Sequence, residues 1–193
     1  MRVSREQMAE NRERILETAA TLFRERGFDG VGVADVMKAV GLTHGGFYGH
    51  FSSKDDLAAQ ALGRAFGNAN QWLEDAKAAE PAAPLQGIAG RYLSPLHRDD
   101  PGHGCPVAAL GSDIARQGEA SRQAATEGAR AVIASLSAIM SGESEEERRA
   151  AALASYATLI GALVLSRMVE DKALSEEILA AARAALEAKP AET

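Results

Sequence analysis

From Gly41 to Lys54 the chain reads Gly-Leu-Thr-His-Gly-Gly-Phe-Tyr-Gly-His-Phe-Ser-Ser-Lys, and it enters this stretch from an amphipathic segment. Val33, Val36, Met37 and Val40 recur at helical spacing, which predicts a short helix over 33–40. Gly41 can adopt the left-handed conformation that ends such a helix. Thr43 can then cap a following helix by accepting a hydrogen bond from an orphan backbone N–H. Helix, tight glycine turn and short capped helix make the layout of a helix-turn-helix, whose second helix enters the DNA major groove. Phe47 and Phe51, four residues apart, are expected to point inward, leaving Thr43, His44, Gly46 and Tyr48 outside. Gly45 and Gly46 lower helix propensity but let the backbone come close to a groove.

At these residues the chain resembles the tetracycline-repressor (TetR) family of transcriptional regulators. The residues that carry the likeness are Gly27, Phe28, Gly41, Leu42, Thr43, Gly45, Phe47, Tyr48, His50, Phe51, Lys54 and Leu57. They cover roughly the first third of the chain. Val31 and Gly32 stand where the family often has Thr or Ser, so a hydroxyl cap on the second helix is missing. Gly32 can still cap, and its N–H can meet a phosphate. The resemblance implies that Tyr48 and Lys54 hold phosphates and that Thr43 and His44 lie nearest the base edges. Gly32, Lys38, Gly45 and Gly46 complete the expected DNA surface, with His50 either a phosphate contact or a packing residue. It also implies a homodimer built on the last two helices, for which Tyr156, Ile160, Leu163, Leu179 and Leu186 are the candidates. An unknown small-molecule effector would bind in the body, lined by Phe66, Trp72, Tyr92, Cys105, Arg116 and Met140. Those aromatic and Met residues equally suit plain core.

Charge is at first sight awkward for a nucleic-acid binder, because the 193-residue chain carries a net −6. Residues 1–65, however, hold nine Lys/Arg and nine Asp/Glu, so the acidity lies outside the proposed reading head. Screening confines each charge to about 8–10 Å, which makes local placement decisive. Arg2, Arg5, Lys38 and Lys54 are the candidate phosphate cations. Apolar residues make up 46%, and Ala and Leu outweigh β-branched types, which favours helix almost throughout. No segment alternates with period two. The expected fold is therefore all-α with about nine helices: a DNA-binding domain over 1–52 and an effector-binding and dimerisation domain over 53–193.

Along the chain, one helix is expected over Glu6–Arg26, stopped by Gly27. A long one opens at Ser53, where Ser53 and Asp56 read as a capping box, and ends before Pro81. Further helices are expected near Leu85–Leu96, Pro106–Gln117, around Val132–Met140, over Glu145–Asp171 and over Ser175–Ala188. The N-terminus has no secretory signal pattern. The apolar run Ala151–Leu165 is too short to span a bilayer. One cysteine excludes an intramolecular disulfide framework and fits a reducing cytoplasm. No membrane, cofactor or metal is expected.

Gly104-Cys105-Pro106 places the thiol at a helix cap, with Pro106 at the favoured first position. A helix N-terminus favours thiolate, and the Gly-Cys-apolar step resembles a TetR branch that senses electrophiles through a thiol. The opposing reading is an inert small hydrophobe. A thiol-dependent enzyme using Cys105 with His103 or His97 lacks an orienting third group and any cofactor motif. The same three residues have irregular spacing for a metal site. A ligand-responsive, homodimeric repressor of double-stranded operator DNA is the expected function, with thiol sensing through Cys105 as the alternative; the chain is not expected to be an enzyme.

Overall fold

A computed structural model describes residues 4–188. It is helical, with no strand among the described residues. The α-helices are α1 (Arg5–Arg26), α2 (Val33–Ala39), α3 (Lys54–Ala79), α4 (Pro84–Tyr92), α5 (Pro95–Asp99), α6 (Pro106–Ile114), α7 (Glu119–Ser137), α8 (Glu145–Met168) and α9 (Lys172–Glu187). Two 3₁₀ helices, His44–Gly49 and Pro101–His103, complete the set. The chain forms two compact units: residues up to Asn68 together with Pro101–Gly128, and Ala69–Asp100 together with residues from Ala129 onward. The expected division at 52/53 followed the motif; these units follow packing, and both α3 and α7 run from one into the other.

In the first unit, Ile15, Ala19, Phe23, Phe28, Val31, Val36, Met37, Phe47, Phe51, Leu57 and Leu62 form one continuous core. Each large apolar side chain buried in this way contributes about 1.5–3 kcal/mol. Ser4 caps α1 by accepting from the Gln7 N–H at 3.1 Å. Gly27 ends it at φ +73°, which an L side chain rarely adopts. Gly128 on α7 is equally constrained, since a Cβ there would overlap the Phe66 ring at 2.1 Å.

In the second unit, Leu73, Ile88, Leu93, Leu136, Leu159, Leu163 and Leu179 lie in the interior. Ser144 and Glu147 make a reciprocal capping box on α8, and the Asp171 carboxylate caps α9. The single helix expected over Leu85–Leu96 is two helices. Pro95 has no N–H to donate and its ring clashes with the preceding turn, so α4 stops at Tyr92 and Ser94 starts α5 by accepting from the His97 N–H. The helix expected around Val132 begins much earlier, at Glu119; its first half is Ala-rich and lacks the large apolar residues that reveal a helical face.

The dimer expectation needs correction at three positions. Tyr156, Leu163 and Leu179 are 9%, 0% and 2% exposed, so they belong to this chain's own interior. α8 is apolar around most of its girth, and its periodicity alone does not distinguish the inward face from the outward one. Packing against α9 assigns Ala152, Ser155, Tyr156, Leu159, Ala162, Leu163 and Ser166 inward. Leu153, Val164, Leu165 and Met168 remain outside, as does Leu174 on α9. Ile160 and Leu186 are half-buried. The apolar stretch is also longer than the run Ala151–Leu165: an 18-residue window within α8 has a mean hydropathy of 1.5, and by length and composition alone the helix could cross a membrane.

Candidate nucleic-acid interface

α2 ends as its sequence requires. Gly41 sits at φ +72°; its N–H donates to the Lys38 carbonyl at 3.1 Å, and the Leu42 N–H donates to Met37 at 2.9 Å. This pair of bonds is a Schellman motif, which satisfies the last carbonyls and turns the chain. The expected short helix follows as a 3₁₀ helix, but the Thr43 hydroxyl makes no capping bond. Three glycines within His44–Gly49 weaken helix propensity, and the Gly46 N–H reaches only the Thr43 carbonyl, at 3.0 Å.

Phe47 and Phe51 stack at 5.6 Å between centroids and are buried, as expected. Their burial fixes the outward direction of the rest. Thr43, His44, Gly45 and Gly46 are exposed, and Tyr48 is 68% exposed, with its ring edge-on to His44 at 6.3 Å. The outer face therefore offers a hydroxyl, an imidazole and a phenol, separated by bare backbone. Lys38 is also exposed, and Lys54, half-buried, occupies the first position of α3. The Ser53 hydroxyl caps α3 by accepting from the Asp56 N–H at 3.0 Å. The return bond goes one residue further back than a capping box: the Asp56 carboxylate accepts from the N–H and hydroxyl of Ser52, each at 2.9 Å. These bonds, that from the Ser52 backbone first, lower the Asp56 pKa.

Gly32 departs from expectation. Its N–H already donates to the Asp35 carboxylate at 2.8 Å, so it is not offered to a phosphate. His50 is half-buried, and its pKa is lowered by that burial first and by the Arg12 charge second. Arg5 is exposed, whereas Arg2 lies outside the described residues.

The local patterns did not reveal what α1 contributes. Arg12 donates to the His50 carbonyl and to Gln60 Oε1, and its guanidinium lies 4.5 Å from the Phe51 ring centroid. Arg14 donates to the Val40 carbonyl at 2.8 Å. Arg24 is buried and donates to the Gly102 carbonyl at 2.7 Å, while Arg64 pairs with Glu13. Several of the head's cations are thus spent on structure. Only the sequence separation of the partners hid them.

The expected effector residues divide between the units. Phe66, Cys105 and Arg116 fall in the first, and Trp72, Tyr92 and Met140 in the second. Arg116 is on the surface, paired with Asp113, which removes it from any interior lining. Phe66 is pressed against Gly128 as core. Trp72, Tyr92 and His97 form an aromatic cluster, with Tyr92 and His97 4.5 Å apart and Arg91 over the Trp72 ring. Burial chiefly lowers the His97 pKa, and the Arg167 charge adds to the effect. Cys105 is buried at the cap position of α6 and makes no side-chain capping bond there. No His/Cys/Asp/Glu group suited to a metal occurs among the described residues.

Comparison with known proteins falls on the same parts. The family described as "Bacterial regulatory proteins, tetR family" matches residues 15–61, from α1 through the start of α3. The HTH-type transcriptional repressor NemR of Escherichia coli is 29% identical over 131 residues, 66% of this chain and 66% of that protein, just under two thirds of its length. The HTH-type transcriptional repressor KstR2 of Mycolicibacterium smegmatis is 30% identical over 46% of this chain and 42% of its own. The crystal structure of E. coli NemR in its reduced form superposes with a TM-score of 0.76 at 28% identity, covering 95% of this chain and all of that one. A TetR-family regulator from Cytophaga hutchinsonii reaches 0.80 at 20% identity over both full chains, a likeness of fold. With the helix-turn-helix in place, residues 15–61 match the tetR family of bacterial regulatory proteins, and the likeness to TetR-family transcriptional repressors extends through the body.

Proposed function

We propose that the protein is a homodimeric repressor that leaves its operator when a small molecule binds its body. One observation carries the DNA half of this reading. The segment Thr43–Tyr48 buries Phe47 and turns every polar side chain outward, with glycines where the fold itself needs none. Thr43 and His44 then face base edges, while Lys38, Tyr48 and Lys54 face phosphates. Gly45 and Gly46 set the distance of approach. Residues 1–52 make up the reading head, and 53–193 bind effector and pair with a second copy. The exposed apolar residues Leu153, Val164, Leu165, Met168 and Leu174 supply the dimer surface, with Ile160 and Leu186 at its edge. Such a dimer places two recognition segments one helical turn apart, about 34–36 Å. An effector that binds better to a conformation with another spacing releases DNA by differential affinity. A cytoplasmic protein that meets no membrane is part of the same reading, with the outer face of α8 covered by its copy.

Selection from random DNA tests this. A two-fold symmetric site is expected, and Thr43→Ala or His44→Ala should shift its sequence by about 1–3 kcal/mol at the affected base pair. Recovery of sites without symmetry sinks the reading.

A second reading rests on Cys105. Cys105 occupies the position that opens α6, and the loop before it is fastened to α1, where the Arg24 guanidinium holds the Gly102 carbonyl. A Cβ at Gly102 would lie only 2.9 Å from the Glu25 carboxylate, so the loop fits closely against α1. An adduct on Cys105 would press on that seat and so on the reading head. Alkylation that leaves operator affinity unchanged, or a Cys105→Ser variant that responds as well as wild type, rules this out.

A further inference from the structure

We infer that Arg12 and Arg14 are positioning residues for DNA reading: α1 grips the C-terminal ends of both helix-turn-helix elements and so fixes the angle at which the recognition segment is presented. The inference rests on the DNA-binding reading above and adds the device that holds the segment in place.

Each arginine meets a helix end at its most electronegative point. Carbonyls in the last turn of a helix lack intrahelical partners and carry partial negative charge. The Arg14 guanidinium donates to Val40, the residue that closes α2, at 2.8 Å. The Arg12 guanidinium donates to His50, the residue that closes the 3₁₀ helix. Arg12 also lies over the Phe51 ring and reaches Gln60 on α3. Gln60 in turn donates to the Asp56 carboxylate at 2.6 Å, whose other oxygen holds Ser52. The chain from His50 to Asp56, with Lys54 inside it, is thus tied to one guanidinium. A glycine-rich 3₁₀ helix has little stiffness of its own, so its orientation must come from outside. These are charge-assisted bonds, stronger than neutral ones. A planar fork that bonds His50 and Gln60 while lying over the Phe51 ring is pre-organised in a way that the point charge of an ammonium is not.

Both arginines occupy the stretch where a cation is easily mistaken for a phosphate contact, and salt dependence separates the two roles. A phosphate cation releases counterions, so its loss flattens the plot of log affinity against log salt by about one unit. A positioning residue leaves that slope unchanged while affinity falls. The experiment uses the full-length protein with a duplex selected from random DNA, and poly(dI-dC) as non-specific competitor, across a salt series. Arg12→Gln is expected to weaken the selected duplex tenfold or more, on the order of a lost charged hydrogen bond, with the wild-type slope. Arg12→Lys should recover only part of the loss. Lys54→Ala serves as the contrast, with a flattened slope on both DNAs.

Gln60→Ala removes one anchor without touching an arginine, so it covers the case in which Arg12→Gln fails to fold. It should show a smaller loss in the same direction, again without a change in slope. A slope flattened by Arg12→Gln as much as by Lys54→Ala makes Arg12 a phosphate contact and overturns the inference. So does a folded Arg12→Gln or Gln60→Ala protein with wild-type affinity. If wild type itself selects no duplex, the DNA-binding reading fails; if wild type binds and these variants match it, the positioning role alone fails.

Discussion

At the recognition segment, a methyl added to Gly45 would meet no atom within 4 Å, and one added to Gly46 would meet only Thr43 and Met37 at ordinary contact distance. Along α8, Leu153, Val164, Leu165 and Met168 stand between 40% and 69% exposed. Both surfaces carry features that the chain's own packing does not require, yet the two omit opposite things. The first gives up side chains and keeps polar tips at its flanks, a surface suited to a partner whose backbone must come close and whose charge is negative. The second keeps large apolar side chains in water, where each buried CH₂ group would return about 0.8 kcal/mol. That suits a partner with an apolar face of its own. On the proposed function, the first surface meets a polyanion and the second another helix.

The strongest way to break this comparison is to charge the outer face of α8. Val164→Glu with Met168→Glu puts carboxylates where the single chain is open to water, so the fold of the chain should survive. In a dimer the same charges are buried without partners, at a cost of several kcal/mol. A helical monomer by sedimentation, with operator affinity down on the order of a hundredfold, is expected. Leu163→Glu is the internal contrast: its side chain is fully buried within the chain, and it should unfold the protein rather than merely split a dimer. A stable dimer carrying both outer glutamates moves the interface elsewhere.

Gly45→Ala sharpens the other side, with a smaller effect. Gly45 has no positive φ and no neighbour to clash with. Replacing it should stabilise the free protein by about 0.5–1 kcal/mol, as glycine inside a helix costs roughly that much relative to alanine. On DNA the added methyl overfills a close contact, typically a ~1–3 kcal/mol loss, or about tenfold in affinity. A higher Tm together with weaker binding is the expected signature. If both rise, the bare backbone at Gly45 has nothing to do with the groove.

Short-range chemistry is what the sequence discloses well. The inward pair Phe47 and Phe51, the left-handed Gly41, the cap at Ser53 and the stop at Gly27 all depend on residues within a few positions of each other. Pro95 carried an equally local signal, and it alone accounts for the split between α4 and α5. The arginine grips were not legible, because Arg12 meets His50 and Gln60 across 38 and 48 residues and Arg14 meets Val40 across 26. No periodicity encodes such pairs. Leu163 was misplaced for a different reason. On a helix that is apolar nearly all round, the inward and outward stripes have one composition, and only packing within the chain, against α9, α5 and α4, tells them apart.

His50 gives the smallest effect and decides its own role. Burial first, and the Arg12 charge second, hold its pKa below the ordinary value of 6.5. As pH falls below that value the unfolded chain takes up a proton that the native imidazole refuses until lower pH. Stability linked to His50 is therefore complete above pH 6.5 and is lost as pH falls through the window down to its native pKa. Wild type should lose more Tm than His50→Gln between about pH 7.5 and 5.5, the variant cancelling contributions from His97 and other groups. DNA adds the discriminating arm. A His50 that contacts phosphate is favoured in its charged form by the bound anion, so affinity would rise as pH drops, and His50→Gln would abolish the rise. A packing His50, held neutral beside the Arg12 guanidinium, instead gives affinity that stays level or declines as acid charges it and strains the His50–Ser53 turn. The half-buried position of His50, with Arg12 bonded to its carbonyl, favours the second outcome. A rise in affinity confined to wild type would return His50 to the phosphate-contacting set with Tyr48 and Lys54.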